Sequence, residues 1–164
     1  CAYLKERWEK PGSRYHVMKE MFACLHKLEV LSADWPKKVR HYEKVLFGGG
    51  RKQYEALHQY RMPDKIAEQL LSYFIYVYFA GAVYDGMPYS KVKLAVISTM
   101  LIEDMVCAKA AEKGQLSFEA IADAAHSYAR EVEHSDLNLQ RLSIMFRHQK
   151  CFHIGRLCGA LLEW

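Results

Sequence analysis

The stretch Leu71-Ser-Tyr-Phe-Ile-Tyr-Val-Tyr-Phe-Ala-Gly-Ala-Val-Tyr-Asp-Gly86 sets the reading of this chain. Tyr73, Phe74, Tyr76, Tyr78 and Phe79 crowd into seven positions, and the run stops at Asp85-Gly86. So apolar a helix is expected at the centre of a buried core with other helices around it. The hydroxyls of its tyrosines need partners, which predicts a core laced with polar contacts.

Helical periodicity continues on both sides. Residues 1–12 read as a lead-in ending at Pro11-Gly12. Ser13 is placed to cap a helix to about Val30, with the stripe Val17, Met21, Cys24/Leu25, Leu28 and Leu31 turned inward. Ser32-Ala-Asp34-Trp35-Pro36 restarts the chain with a polar cap and a first-turn proline. The next helix carries Val39, Tyr42, Val45 and Leu46 and breaks at Gly48-Gly49-Gly50. A short helical piece follows around Tyr54 to Tyr60, and Asp64 is placed to cap the aromatic helix over about 65–84. After the Asp85-Gly86-Met87-Pro88 turn, Pro88 opens a long helix to about Glu112, with Val92, Ala95/Val96, Thr99/Met100 and Met105/Val106 as inward candidates. Ser117 caps a helix through Glu131, and Ser135 or Asp136 caps another through about Arg147. No strand, repeat or low-complexity tract is visible. The expectation is one all-α domain over residues 1–164: a bundle of six or seven helices around the central aromatic helix. Its helical core spans 13–151, and an apolar tail, 152–164, packs on that core.

The 164 residues suit one domain. A hydrophobic share of 51% and a charged share of 26% describe an ordinary globular chain. The net charge of +4 is scattered, and Pro36-Lys37-Lys38-Val39-Arg40 is its densest stretch, which argues against nucleic acid as a partner. No uninterrupted apolar segment is long enough for a bilayer, so no membrane partner is expected. The five cysteines are irregularly spaced, which argues against a disulfide framework and for a reducing cytoplasm. The chain starts at Cys1 without a methionine, and we expect a piece of a longer protein or a trimmed product.

No catalytic motif is strong enough to name a reaction. Gly48-Gly49-Gly50 lacks the preceding strand and the G-x-x-x-x-G-K-S/T spacing of a phosphate cradle and reads as a loop. Two E-x-x-H pairs, Glu55–His58 and Glu131–His134, raise a di-iron carboxylate bundle with Glu103 as a further ligand, but a fourth carboxylate is missing. His148, Cys151, His153 and Cys158 lack the paired spacing of a zinc site. No metal site is expected. Cys107 and Ser98 lie in apolar helix without a nucleophile signature, and Ser135 beside His134 reads as a cap. The acids around Glu131, Glu133 and Asp136 read either as a helix start or as a lip that attracts a lysine.

Three stretches, in order, resemble the C-terminal region of the flagellin lysine-N-methylase family: Leu31-Ser-Ala-Asp34-Trp35; Gln69 to Gly86 followed by Lys91 to Ser98; and Tyr128-Ala-Arg-Glu131-Val-Glu133-His134-Ser135-Asp136-Leu-Asn138-Leu. The resemblance spans roughly residues 15–145. It implies part of an enzyme that methylates flagellin lysines with S-adenosylmethionine before export. It also implies a cysteine-rich N-terminal part, suited to an iron–sulfur cluster, as a further partner outside this chain. The domain would then support the active site or recognise flagellin, and would not turn over alone. Methyl transfer needs a neutral amine, so a receiving site should desolvate the lysine or take its proton. Tyrosines can line such a channel and a carboxylate can attract the ammonium. Tyr73, Tyr76, Tyr84, Asp85, Glu131, Glu133 and His134 are the substrate-binding candidates, and no catalytic residue is singled out. A non-catalytic helical binding module and, behind it, a metal-dependent helical-bundle enzyme are the alternatives.

Overall fold

In the computed structural model, which describes residues 13–162, the centre belongs to the helix that follows the Asp85–Pro88 turn. Pro88 stands in its first turn, and Gly114, at φ 69, ends it in the left-handed conformation that glycine adopts without strain. Leu94, Ala95, Ile97, Met100, Leu101, Ile102, Met105, Val106, Cys107, Ala108 and Ala110 are all buried, so apolar surface runs right round it. Its alanines and Ser98 let neighbouring helices approach closely.

The described elements, in order, are α1 (Arg14–Leu25), α2 (Trp35–Phe47), α3 (Gly50–Leu57), α4 (Asp64–Phe79), α5 (Ala82–Asp85), α6 (Pro88–Lys113), α7 (Phe118–Tyr128), α8 (Asp136–His148) and α9 (Ile154–Leu162). Short 3₁₀ turns follow α3 and α8, and a π turn, Ala129–Glu133, follows α7. No strand occurs among the described residues, so the all-α expectation holds, but the count is corrected from six or seven helices to nine, the additions being the short α5 and the α9 of the tail. The expected lead-in, 1–12, lies outside the described residues, as do the last two positions of the tail.

The position of the aromatic helix is a correction. α4 buries Phe74 and half-buries Ile66, Ala67, Leu70, Leu71 and Tyr78 against α6 and the core. Its outer side carries Tyr73, Ile75, Tyr76, Val77 and Phe79 in the open. Only one stripe of α4 faces its neighbours, and its aromatics occupy both stripes. The helix also ends at Phe79, before Gly81, and α5 forms a separate turn carrying exposed Val83 and Tyr84. α1 likewise stops at Leu25, which leaves Leu31 exposed, and Val92 of α6 points outward.

Of the expected caps, Ser117 and Ser135 accept the amides of Ala120 and Asn138 at 3.2 and 3.1 Å. Ser13 stands at the start of α1 without a capping bond from its side chain. Asp64 lies inside the first turn of α4 rather than capping it. In the described part of the tail Phe152, Leu157 and Ala160 are buried, and Arg156 grips Glu20 of α1 through two bonds of 2.8 and 2.9 Å.

Two polar assemblies lock this packing. In the first, the buried Arg14 guanidinium meets Asp104 at 3.1 Å and Glu103 at 3.2 Å, and the Tyr54 hydroxyl donates to Asp104 at 2.8 Å. Burial pulls the Arg14 pKa down, but Asp104, Tyr54 and Glu103 more than restore it. Two carboxyl groups share one guanidinium, and burial pushes Glu103 up to about 7 despite Arg14, with Asp104 adding to the rise. In the second, fully buried Glu131 accepts the amides of Leu31 and Ser32 at 3.0 and 3.2 Å. Asn138 accepts the Glu29 amide at 2.6 Å and donates to the Glu29 and Glu131 carbonyls at 2.9 and 2.7 Å. This clamp ties the α1–α2 junction to the π turn and the start of α8.

Candidate functional site

The π turn places two acids of one short segment on different sides. Its i→i−5 bond, from the His134 amide to the Ala129 carbonyl at 3.1 Å, adds a residue to the turn. Glu131 points into the clamp, and Glu133 points toward α4. There the hydroxyls of Tyr73 and Tyr78 donate to the same Glu133 oxygen, Oε2, at 3.1 and 3.0 Å. Tyr78 is stacked on Phe74, 6.3 Å between centroids, and Phe74 meets the Tyr128 ring edge-on at 6.3 Å. Tyr128 is fixed by a 2.8 Å bond with Ser98 of the central helix. The tyrosine–carboxylate group thus rests on a rigid aromatic stack.

Partial burial, then the charge of Glu133, raises the pKa of both Tyr73 and Tyr78. Both phenols stay protonated at neutral pH and serve as donors, not bases. No lysine or arginine among the described residues pairs with Glu133. Both bonds fall on Oε2, and Oε1 is left to accept from an incoming cation.

Tyr78 also forms one wall of a cleft of about 380 Å³ between the α4–α6 turn and α8, where Asp85, Met87, Lys91, Leu139 and Ile144 are among its neighbours. Asp85 pairs with Lys91 at 2.8 Å and accepts the Met87 amide at 2.9 Å, and these bonds, Lys91 first, hold its pKa below the usual range. Tyr76 and Tyr84 are 87% and 92% exposed, and neither joins the hydrogen bonds to Glu133. His134 is exposed beside Glu133. Of the sequence candidates, then, Tyr73 and Glu133 meet, Asp85 lies across the cleft, and Glu131 is turned away into the clamp. Tyr78, passed over in the sequence, completes the group; its i, i+4 spacing from Phe74 on the half-buried stripe was the signal for it.

The di-iron arrangement is not assembled. Glu131 is held by backbone amides, Glu103 by Arg14, and Glu55 by Arg51 at 2.6 Å. His58 is packed edge-on against Tyr54 at 4.7 Å, and burial, with Arg14 next, lowers its pKa to about 4. Among the described residues no three His, Cys, Asp or Glu side chains gather where a metal ion could sit. Cys24, Cys107, Cys151 and Cys158 are free thiols, three of them buried, and they do not form the cysteine set of an iron–sulfur cluster. No helix among the described residues is long and apolar enough to cross a membrane.

Residues 3–160 match the family described as the FliB lysine N-methylase C-terminal domain. The chain belongs to that family. Comparison with curated proteins and with solved structures finds no match.

Proposed function

We propose that this domain is the lysine-recognising part of a flagellin lysine N-methylase, and that Glu133 receives the ammonium between Tyr73 and Tyr78. The convergence of two phenol hydroxyls on one half-buried carboxylate, at the edge of an exposed aromatic face, carries this reading. An ammonium is drawn to the carboxylate, while the lysine methylenes lie along tyrosine rings. The surface of Tyr76, Phe79, Val83 and Tyr84 offers the apolar contact that seats a segment of flagellin around that lysine.

With both phenol hydroxyls donating to it, Glu133 is placed to hold an ammonium. The neutral amine required for attack on a methyl group forms when the ammonium gives its proton to solvent water before the site closes, and desolvation on closure then disfavours the charged form. S-Adenosylmethionine supplies the methyl group. The described residues do not fit it with a cradle of the dinucleotide type: Gly48–Gly50 connect two helices, with no strand before them. We place the methyl donor, and any iron–sulfur cluster, in another part of the methylase, the cysteine-rich partner expected from the resemblance, working in the cytoplasm before export.

The test uses the full-length methylase, purified flagellin and S-adenosylmethionine, with methyl groups counted by mass spectrometry. A hydrogen-bonded ion pair of this kind contributes about 1.5–3 kcal/mol, so Glu133→Gln should lower kcat/KM about tenfold or more, mostly through KM. Methylation within twofold of wild type would sink the lysine-recognition reading. If Glu133→Gln is silent and Tyr76→Ser abolishes flagellin binding, the domain is a docking module.

A further inference from the structure

A second groove, of about 750 Å³, opens on the other side of α8, between the start of α6, the end of α8 and the 3₁₀ turn that precedes α9. Lys93, Arg147, Lys150 and Arg156 line it together with Tyr89 and two histidines, and no carboxylate does. Arg156 is neutralised by Glu20. Lys93, Arg147 and Lys150 have no carboxylate partner among the described residues.

Lys93 is the unusual member. Only 7% exposed, it donates to the Phe146 carbonyl at 3.0 Å and lies 4.6 Å from the centre of the Tyr89 ring. A carbonyl at a helix C-terminus and a ring face each carry partial negative charge, and neither supplies a full counter-charge. Burial without one lowers the Lys93 pKa. A buried ammonium, with an open groove in front of it and two more unmatched cations on its walls, lacks an anion.

The reaction proposed above does not supply that anion. Lysine is a cation, and S-adenosylmethionine carries a sulfonium; the groove repels both. We infer that this groove binds a small phosphate-bearing anion, held by Lys93, Arg147 and Lys150. Phosphate fits because its several oxygens accept from guanidinium and ammonium donors at once. Half-exposed Tyr89 offers a face on which a base attached to that phosphate stacks. A concave site ending at a buried lysine favours a small ligand over an extended acidic peptide.

The experiment is calorimetric titration of the intact chain with inorganic phosphate, ADP, S-adenosylmethionine and a glutamate-rich peptide at constant ionic strength. ADP should bind with a Kd of about 1 mM or tighter and inorganic phosphate more weakly. Lys93→Met should abolish binding. Because that change also removes the bond to Phe146, the surface double variant Arg147→Gln/Lys150→Gln is the independent check, and it should weaken ADP at least about tenfold with an unchanged circular dichroism spectrum. No heat with ADP or phosphate would overturn the inference. So would binding that survives the double variant, preference for the acidic peptide, or competition of S-adenosylmethionine with ADP. These readouts involve no methyl transfer, so they stand or fall apart from the lysine-recognition reading.

Discussion

Replacing Asn138 by alanine tests whether the clamp between the α1–α2 junction and the π turn holds the fold together. The side chain is fully buried and makes three hydrogen bonds, to the Glu29 amide and to the Glu29 and Glu131 carbonyls. At about 0.5–1.5 kcal/mol each, their loss amounts to roughly 3 kcal/mol, and the buried Glu131 carbonyl is left without this donor. The Ser135 cap uses the Asn138 backbone amide and survives the substitution. A change of that size should lower Tm by about 6–12 °C in a chain of this length. Urea unfolding followed by circular dichroism at 222 nm measures it directly. The midpoint should fall while the slope stays constant, since the same surface is exposed on unfolding. Asn138→Asp sharpens the test. An aspartate keeps an acceptor for Glu29 but turns oxygens toward two carbonyls and adds charge beside buried Glu131, so it should destabilise at least as much as alanine. A loss below about 1 kcal/mol for Asn138→Ala, or a milder effect for Asp than for Ala, would refute the clamp.

Three further outcomes follow from the same geometry. The native state retains the Glu103 proton to about pH 7, whereas the unfolded chain releases it near 4.5, so this stabilisation is complete below pH 4.5 and lost as pH rises toward 7. Glu103→Gln should remove that loss, and the variant should gain about 2–3 kcal/mol over wild type between pH 4.5 and 8 in urea titrations, with an unchanged difference counting against the assignment. Tyr76→Ser and Tyr84→Ser should leave thermal stability almost untouched, within about 0.5 kcal/mol, because both rings are exposed, yet weaken flagellin binding in a pull-down. Buried Cys107, whose pKa burial pushes well above the ordinary thiol value, should resist iodoacetamide in the native protein while half-buried Cys158 reacts; mass mapping of the label would show the reverse if the packing of α6 were wrong.

Local signals in the sequence placed several helix ends correctly, although Ser13 makes no capping bond and Asp64 lies inside its helix. Ser117, Ser135 and Pro88 each act within one helical turn, and each stands where the sequence placed it. The centre of the bundle was misjudged because hydrophobic density is not burial. α4 has aromatics on both stripes, whereas α6 draws its central place from alanines and a serine that let neighbours come close. The candidate site depended on a non-local fact: Tyr78 and Glu133 are 55 positions apart and become partners only when α4 and the π turn pack on the same side of the bundle. At Glu131 the residues that carry the family resemblance serve the fold and not the candidate site. The Leu31–Trp35 stretch and the Tyr128–Asn138 stretch, two of those that carry the resemblance, are joined by bonds from the Leu31 and Ser32 amides to Glu131, and the Glu29 amide just before the first stretch donates to Asn138. Those residues specify how the domain folds. The acid left for chemistry is Glu133, two positions along, which the extra residue of the π turn directs away from the clamp and onto the tyrosines of α4.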